Sequence, residues 1–176
     1  MTQQVTLDRS KTAVVIIGYQ DRHVNSYAGD PQGLIRSAGQ VLVGARQAGI
    51  PVIHVVHRGG NFEDYSPDVE IHSGVAPAPG EKVFTKTRTG SFSTTGLEAF
   101  LRVAGRDSLV LMGVATSGGV LSTVRWGSDV GYNLFVVSDA CFDLDQELHR
   151  VLMEKLYPLQ ATILTAQGFL KAAGVA

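Results

Sequence analysis

The apolar residues of this 176-residue chain fall into short β-rich runs separated by stretches of helical spacing. Thr12 to Ile17 is a compact apolar run of the kind a strand buried on both faces requires. Gln32 to Ala48 carries Leu34, Ala38, Val41, Leu42 and Ala45 on one helical side, and Gly49 follows where a left-handed cap ends a helix. Pro51 to His57 and Lys82 to Lys86 read as the next strands. Ser108 to Ala115 is the strongest, Tyr132 to Ser138 follows, and Ala161 to Thr165 is the last. Helices are expected over Thr94 to Val103 (ended by Gly105), Gly118 to Val130, Gln146 to Leu156 and a short terminal segment. Strands separated by helices, without an internal repeat, predict one α/β domain over residues 1–176 with a parallel sheet covered on both faces.

In such sheets ligands bind beyond the carboxyl ends of the strands, where the strand order switches. Those ends are Gly18–Tyr19–Gln20, His57–Arg58, Lys86–Thr87–Arg88, Thr116–Ser117–Gly118–Gly119 and Asp139–Ala140. Arg58 to Glu81 is long, polar and rich in Gly and Pro, and reads as a surface excursion of the sort that often carries function.

Composition removes several function classes. Fifteen basic residues against sixteen acidic ones give a net charge of −1, with no electrostatic reason to bind nucleic acid or an anionic membrane. A single cysteine, Cys141, allows neither an intrachain disulfide nor a cysteine zinc cluster. Met1 to Lys11 is polar, without the apolar core of a signal peptide, and no apolar run approaches a bilayer span. A reducing, cytoplasmic location is the expectation.

The segment Gly113–Val114–Ala115–Thr116, with a small-residue turn, a helix, then Gly131–Tyr132 and Ser138–Asp139–Ala140, resembles the second half of isochorismatase-like hydrolases. Lys86-x-Arg88-x-x-Ser91-Phe92 resembles the family's lysine strand and the loop after it. Val15–Ile16–Ile17–Gly18–Tyr19–Gln20 stands where the family's first strand ends in Asp-x-Gln. The resemblance keeps its order from the first strand to the last. It implies a doubly wound, mostly parallel sheet of about six strands in the order 3-2-1-4-5-6, a non-proline cis peptide around Val114–Ala115–Thr116, and a homodimer or higher homo-oligomer, with the Trp126 helix either at the subunit contact or packed in the core.

In the family's amidase branch a cysteine attacks a carbonyl, an aspartate takes its proton and a lysine supports the charges, since a thiolate needs a nearby base and cation. The resemblance puts Lys86 on the lysine, Gly18 on the aspartate and Gly119 on the cysteine. Glycine can neither attack nor exchange a proton, so that mechanism cannot run with those residues. Cys141, after the fifth strand, is far from the nucleophile turn and suits the core. The isochorismatase branch also has glycine at the turn, but its acid is the aspartate, here Gly18.

Lys86 is the leading candidate. A desolvated lysine has a lowered pKa and can act as base, amine nucleophile or electrostatic anchor, whereas a solvated one merely closes a strand. His57 is a cleft acid–base candidate or a hydrogen-bonded structural histidine. His54-x-x-His57 cannot pair on a metal because side chains three apart on a strand face opposite ways, so no metal and no cofactor is expected. Asp21 could reach back to replace the missing acid, as could Tyr19 or His23, or the segment is a solvated loop. Arg88 and Arg58 can hold a carboxylate or make surface salt bridges. Tyr19, Gln20, Phe92, Thr116, Ser117, Gly118 and Gly119 complete the expected substrate contacts, the last four as a turn offering N–H donors. Thr116 and Ser117 also read as caps of the helix beginning near Gly118.

Three functions follow: a small-molecule hydrolase of C–N or enol-ether C–O bonds with a non-thiol mechanism, a ligand-binding or scaffold homologue without catalysis, and a related enzyme with non-hydrolytic chemistry, for which the paired glycines leave room for a bulkier ligand.

Overall fold

The structure, a computed structural model, describes residues 5–59 and 70–176. Its strands are β1 (Thr12–Ile17), β2 (Val52–His57), β3 (Lys82–Lys86), β4 (Ser108–Val114), β5 (Asn133–Phe142) and β6 (Thr162–Leu164). They form one six-stranded sheet in the order β3-β2-β1-β4-β5-β6. Every ladder in it is parallel. The helices are α1 (Asp21–Tyr27), α2 (Pro31–Gln47), α3 (Leu97–Val103), α4 (Leu121–Asp129), α5 (Gln146–Val151) and α6 (Ala166–Ala172). The doubly wound fold and strand order are as the resemblance implied. The surface excursion after His57 falls partly on residues 60–69, outside the described residues.

The central strand explains itself. All six residues of β1 are buried, because both faces are covered and both edges are paired. Each large aliphatic side chain removed from water there contributes about 1.5–3 kcal/mol. The α2 helix starts where Asp30 accepts the Gly33 N–H at 2.9 Å, with Pro31 at its first position. It buries Leu34, Ala38, Val41, Leu42 and Ala45, and the chain leaves it through Gly49 at φ +68°. A Cβ on Gly44 would stand 2.2 Å from Leu170, so a glycine is what lets α2 and α6 approach.

Four features differ from expectation. Asp21–Tyr27 is a helix rather than a loop. The helix expected from Thr94 begins at Leu97, after Gly96. The Thr116–Val120 segment is a π turn capped at Ala115, with no side-chain cap, so Thr116 and Ser117 do not cap α4. Finally, β5 runs on to Phe142. Leu111 pairs with Val136 but Gly113 pairs with Cys141, a register shift that makes β5 bulge. Cys141 therefore lies inside the fifth strand, not after it. It is buried, and burial pushes its thiol up to about 12.

One partly buried polar knot ties α2 and β2 to the start of β3. Glu81 accepts two bonds from Arg46 (2.8 and 3.0 Å), one from the Ala78 N–H (2.8 Å) and one from Nε2 of His54 (3.0 Å). Burial lowers the His54 imidazole, and because the Glu81 carboxylate can only accept, His54 Nε2 is the donor. Despite partial burial, these bonds and the Arg46 charge hold the Glu81 carboxyl at about 2, below its ordinary 4.5. The folded value is depressed, so this stability is fully present above the unfolded value and is lost as pH falls towards about 2. Glu81→Gln is expected to cost about 2 kcal/mol at neutral pH. Urea unfolding of the two proteins should converge in acid; a pH-independent difference would refute the ionic origin.

Candidate active site

Strand order reverses between β1 and β4, and the crevice opens at their carboxyl ends. A cavity of about 420 Å³ occupies it. Helix α1 contributes Arg22, His23 and Ser26, β2 contributes His57, and β3 with its following loop contributes Lys86 and Thr89. Gly118 and Gly119 border it, and Val114, Ala115 and Leu144 make it partly apolar. The Val114–Ala115 peptide is cis. A larger hollow of about 620 Å³ lies at the other end of the sheet, beside the strand starts Thr12, Ser108 and Asn133, away from the crevice.

Register sets the central pair. His57 and Lys86 are Cα partners on the parallel ladder of β2 and β3, so their side chains share a face. His54, three residues earlier, lies on the other face with Glu81. Lys86 is only 5% exposed although Lys82 and Val83 on the same edge strand are exposed. Its ammonium donates to the carbonyls of Thr89 (2.7 Å) and Arg88 (3.1 Å). Burial lowers it to about 8.

Gln20 positions His57 rather than a ligand. Its Oε1 accepts the His57 N–H at 2.6 Å and its Nε2 donates to the His57 carbonyl at 3.1 Å. Tyr19 is also structural: it is buried and its hydroxyl donates to the Ala140 carbonyl in the β5 bulge. His23 stands beside His57, ring centroids 6.4 Å apart, with Nδ1 3.3 Å from the Gly18 carbonyl. Burial lowers both imidazoles, and the charge of Lys86 adds to the effect in each.

Asp21 is the expected residue most clearly displaced. Helical turning puts Arg22, His23 and Ser26 on the cavity side and leaves Asp21, the first residue of α1, off the lining. The missed signal was Val24, fully buried at helical spacing after an acidic first-turn residue. Arg88 is exposed and donates to its neighbour's carbonyl at Thr87, 2.9 Å away. Phe92 is buried in a stack with Tyr132 (5.8 Å) and Trp126 (6.5 Å), outside the cavity.

The Thr116–Gly119 turn is held from behind. Thr116 Oγ1 lies 2.8 Å from Nδ1 of His149, and the Tyr157 hydroxyl donates to the Thr116 carbonyl at 2.6 Å. The Ser117 N–H donates to Asp143 at 2.7 Å and the Gly118 N–H to the Ala115 carbonyl at 3.1 Å, so neither waits for a ligand as expected. The Thr123 hydroxyl donates to the Gly119 carbonyl at 2.6 Å. Gly18 leaves no ligand room, whereas Gly119 lines the cavity. A Cβ on Gly18 would meet the Val114 carbonyl oxygen at 2.5 Å, and one on Gly119 would meet Ile17 at 3.0 Å. Among the described residues no three His, Cys, Asp or Glu side chains converge as metal ligands, and no helix is long and apolar enough to cross a membrane.

A parallel α/β sheet with a basic crevice at its topological switch is the architecture of a doubly wound α/β domain. The chain belongs to the isochorismatase family: the isochorismatase domain matches residues 12–168. It is 32% identical over 157 residues to the isochorismatase-family protein YddQ of Bacillus subtilis, covering 81% of this chain and 87% of that one. It is 32% identical over 134 residues to the streptothricin hydrolase of Streptomyces noursei, covering 73% of this chain but 48% of that protein. An isochorismatase-family structure from Chromobacterium violaceum superposes with a TM-score of 0.89 over all of both chains at 26% identity.

Proposed function

We propose that this chain is a small-molecule hydrolase acting on a C–N or enol-ether C–O bond without a thiol. The observation that carries this reading is the joint exposure of one ammonium and two imidazoles to a single crevice cavity, while the only cysteine is sealed in β5. In this reading Gly18 and Gly119 occupy the family's aspartate and cysteine positions. Lys86 stabilises or protonates the oxygen or nitrogen that gains charge. His57, with His23 in the place expected of Asp21, takes a proton from water. Kinship with proteins that include a named hydrolase supports the reaction class.

Two tests follow. Hydrolysis should be measured on a panel of small amides, ureas and enol ethers, before and after iodoacetamide and with Cys141→Ala. Turnover unchanged by either treatment is expected; loss with both would restore a thiol mechanism. The working form pairs a neutral imidazole with a protonated Lys86. The imidazoles titrate below 6.5 and Lys86 at about 8, so kcat/KM should rise through the first and fall through the second. A rate that instead climbs through about 8 would make Lys86 a base.

A second reading, a binding protein without turnover, is favoured by one observation: the Ser117 and Gly118 amides are already engaged and cannot serve an oxyanion. Saturable binding of a panel compound with no product over many hours would select it.

A further inference from the structure

The chemistry of Lys86 extends beyond charge stabilisation. Its Nζ has two partners, the Thr89 and Arg88 carbonyls. An ammonium has three N–H groups, and a neutral amine has two and a lone pair. Deprotonation therefore sacrifices neither bond, and the lone pair takes the third direction. No carboxylate pairs with Lys86 among the described residues, and burial alone lowers its proton affinity. On the Gly119 side an ideal Cβ would sit 3.7 Å from Nζ, and Lys86 and Gly119 line the same cavity. Val114, Ala115 and Leu144 give the cavity a partly apolar lining, and His23 and His57 stand on its wall as proton carriers.

We propose that Lys86 is an amine nucleophile that forms a reversible imine with small oxo acids, the carbonyl entering over Gly119 and the carboxylate facing Arg22 and the two imidazoles. The Nζ–C bond forms as the carbonyl π pair moves to oxygen. An imidazole carries one proton from nitrogen to that oxygen. An imidazolium then protonates the carbinolamine hydroxyl, which leaves as water while the nitrogen lone pair closes the C=N⁺ bond. Each iminium takes up one proton from solvent through the ring, and nothing is oxidised or reduced until an external hydride is added. This activity goes beyond the hydrolase reading and needs no turnover, so the two can fail separately.

The test uses the full chain with pyruvate and cyanoborohydride at neutral pH, followed by peptide mass spectrometry. The expected result is an adduct equal to pyruvic acid less one oxygen on the peptide bearing Lys86. Exposed Lys11, Lys82, Lys155 and Lys171 serve as internal controls. Because an ordinary lysine is almost wholly protonated at neutral pH, labelling at Lys86 should exceed theirs by about tenfold or more. Lys86→Arg should lose the adduct. Gly119→Val, with a bulkier group beside Nζ, should slow it in protein whose circular dichroism is unchanged. Labelling at Lys86 no faster than at the four exposed lysines in the unmodified protein would overturn the proposal, whatever the variants do.

Discussion

Lys86→Gln is expected to lower kcat/KM by about 100- to 1,000-fold, the range found when one preorganised charge-stabilising donor is removed from a buried site. Glutamine is the informative replacement because it removes the charge while keeping neutral N–H donors directed towards the Thr89 and Arg88 carbonyls that hold the lysine. What disappears is the positive charge of a side chain only 5% exposed, where water screens it little. The loss should fall mainly on kcat, since a charge developing in the transition state gains more from Lys86 than the ground state does. The substitution has a second readout that needs no substrate. The charge of Lys86 lowers both His23 and His57, so both imidazoles should titrate at higher pH in the variant, as seen by proton–carbon NMR of the rings. Unmoved histidines with lost activity would separate Lys86 from them and remove the acid–base pairing; moved histidines with undiminished activity would leave Lys86 a bystander.

The sheet was legible because burial on both faces leaves an unambiguous signal: Thr12–Ile17 reads as a strand in sequence and is one, to the residue. Gly49 and Gly105 mark helix ends because the backbone there takes φ of +68° and +65°. Site residues divide differently. Lys86 and His57 could be placed on the crevice because both end strands, and Lys86 also because its surroundings resemble the family's lysine strand. Asp21 was misplaced because a seven-residue helix re-aims every side chain by its turn, and nothing in residues 20–23 alone reveals that rotation. Gln20, Tyr19, Thr116 and Phe92 lie close to the site in sequence but turn their polar or aromatic groups inward, to the backbone of His57, to Ala140, to His149 and to Tyr132. Asp143 and His149, which hold the Thr116–Gly119 turn, lie 26 and 33 residues from their partners, contacts no local pattern reports.

Gly18→Asp is expected to destabilise the protein by about 3 kcal/mol or more, although in the proposed reading it restores the family's carboxylate. Gly18 sits at φ +71°, in the left-handed region, where any side chain adds about 1–2 kcal/mol of strain. A Cβ there would also stand 2.5 Å from the Val114 carbonyl oxygen, a backbone atom of the adjoining strand that cannot swing aside as a side-chain tip could. Gly119 is the contrasting case. Its Cβ would meet Ile17 at 3.0 Å, the Thr89 carbonyl at 3.4 Å and Lys86 Nζ at 3.7 Å, so a small adjustment admits a cysteine beside a cation. Gly119→Cys should therefore fold and react with iodoacetamide, while Gly18→Asp should unfold at markedly lower urea. Gly18→Ala distinguishes backbone strain from charge, because it carries the same Cβ and should share most of the loss. The Gly18→Asp/Gly119→Cys pair would then have the thiol without a folded site to use it in. If Gly18→Asp instead matched the parent in stability, the left-handed turn would be a consequence of glycine rather than a fixture of the fold. The thiol mechanism would then be two substitutions away, and a test of amide hydrolysis by the double variant would decide whether it had returned.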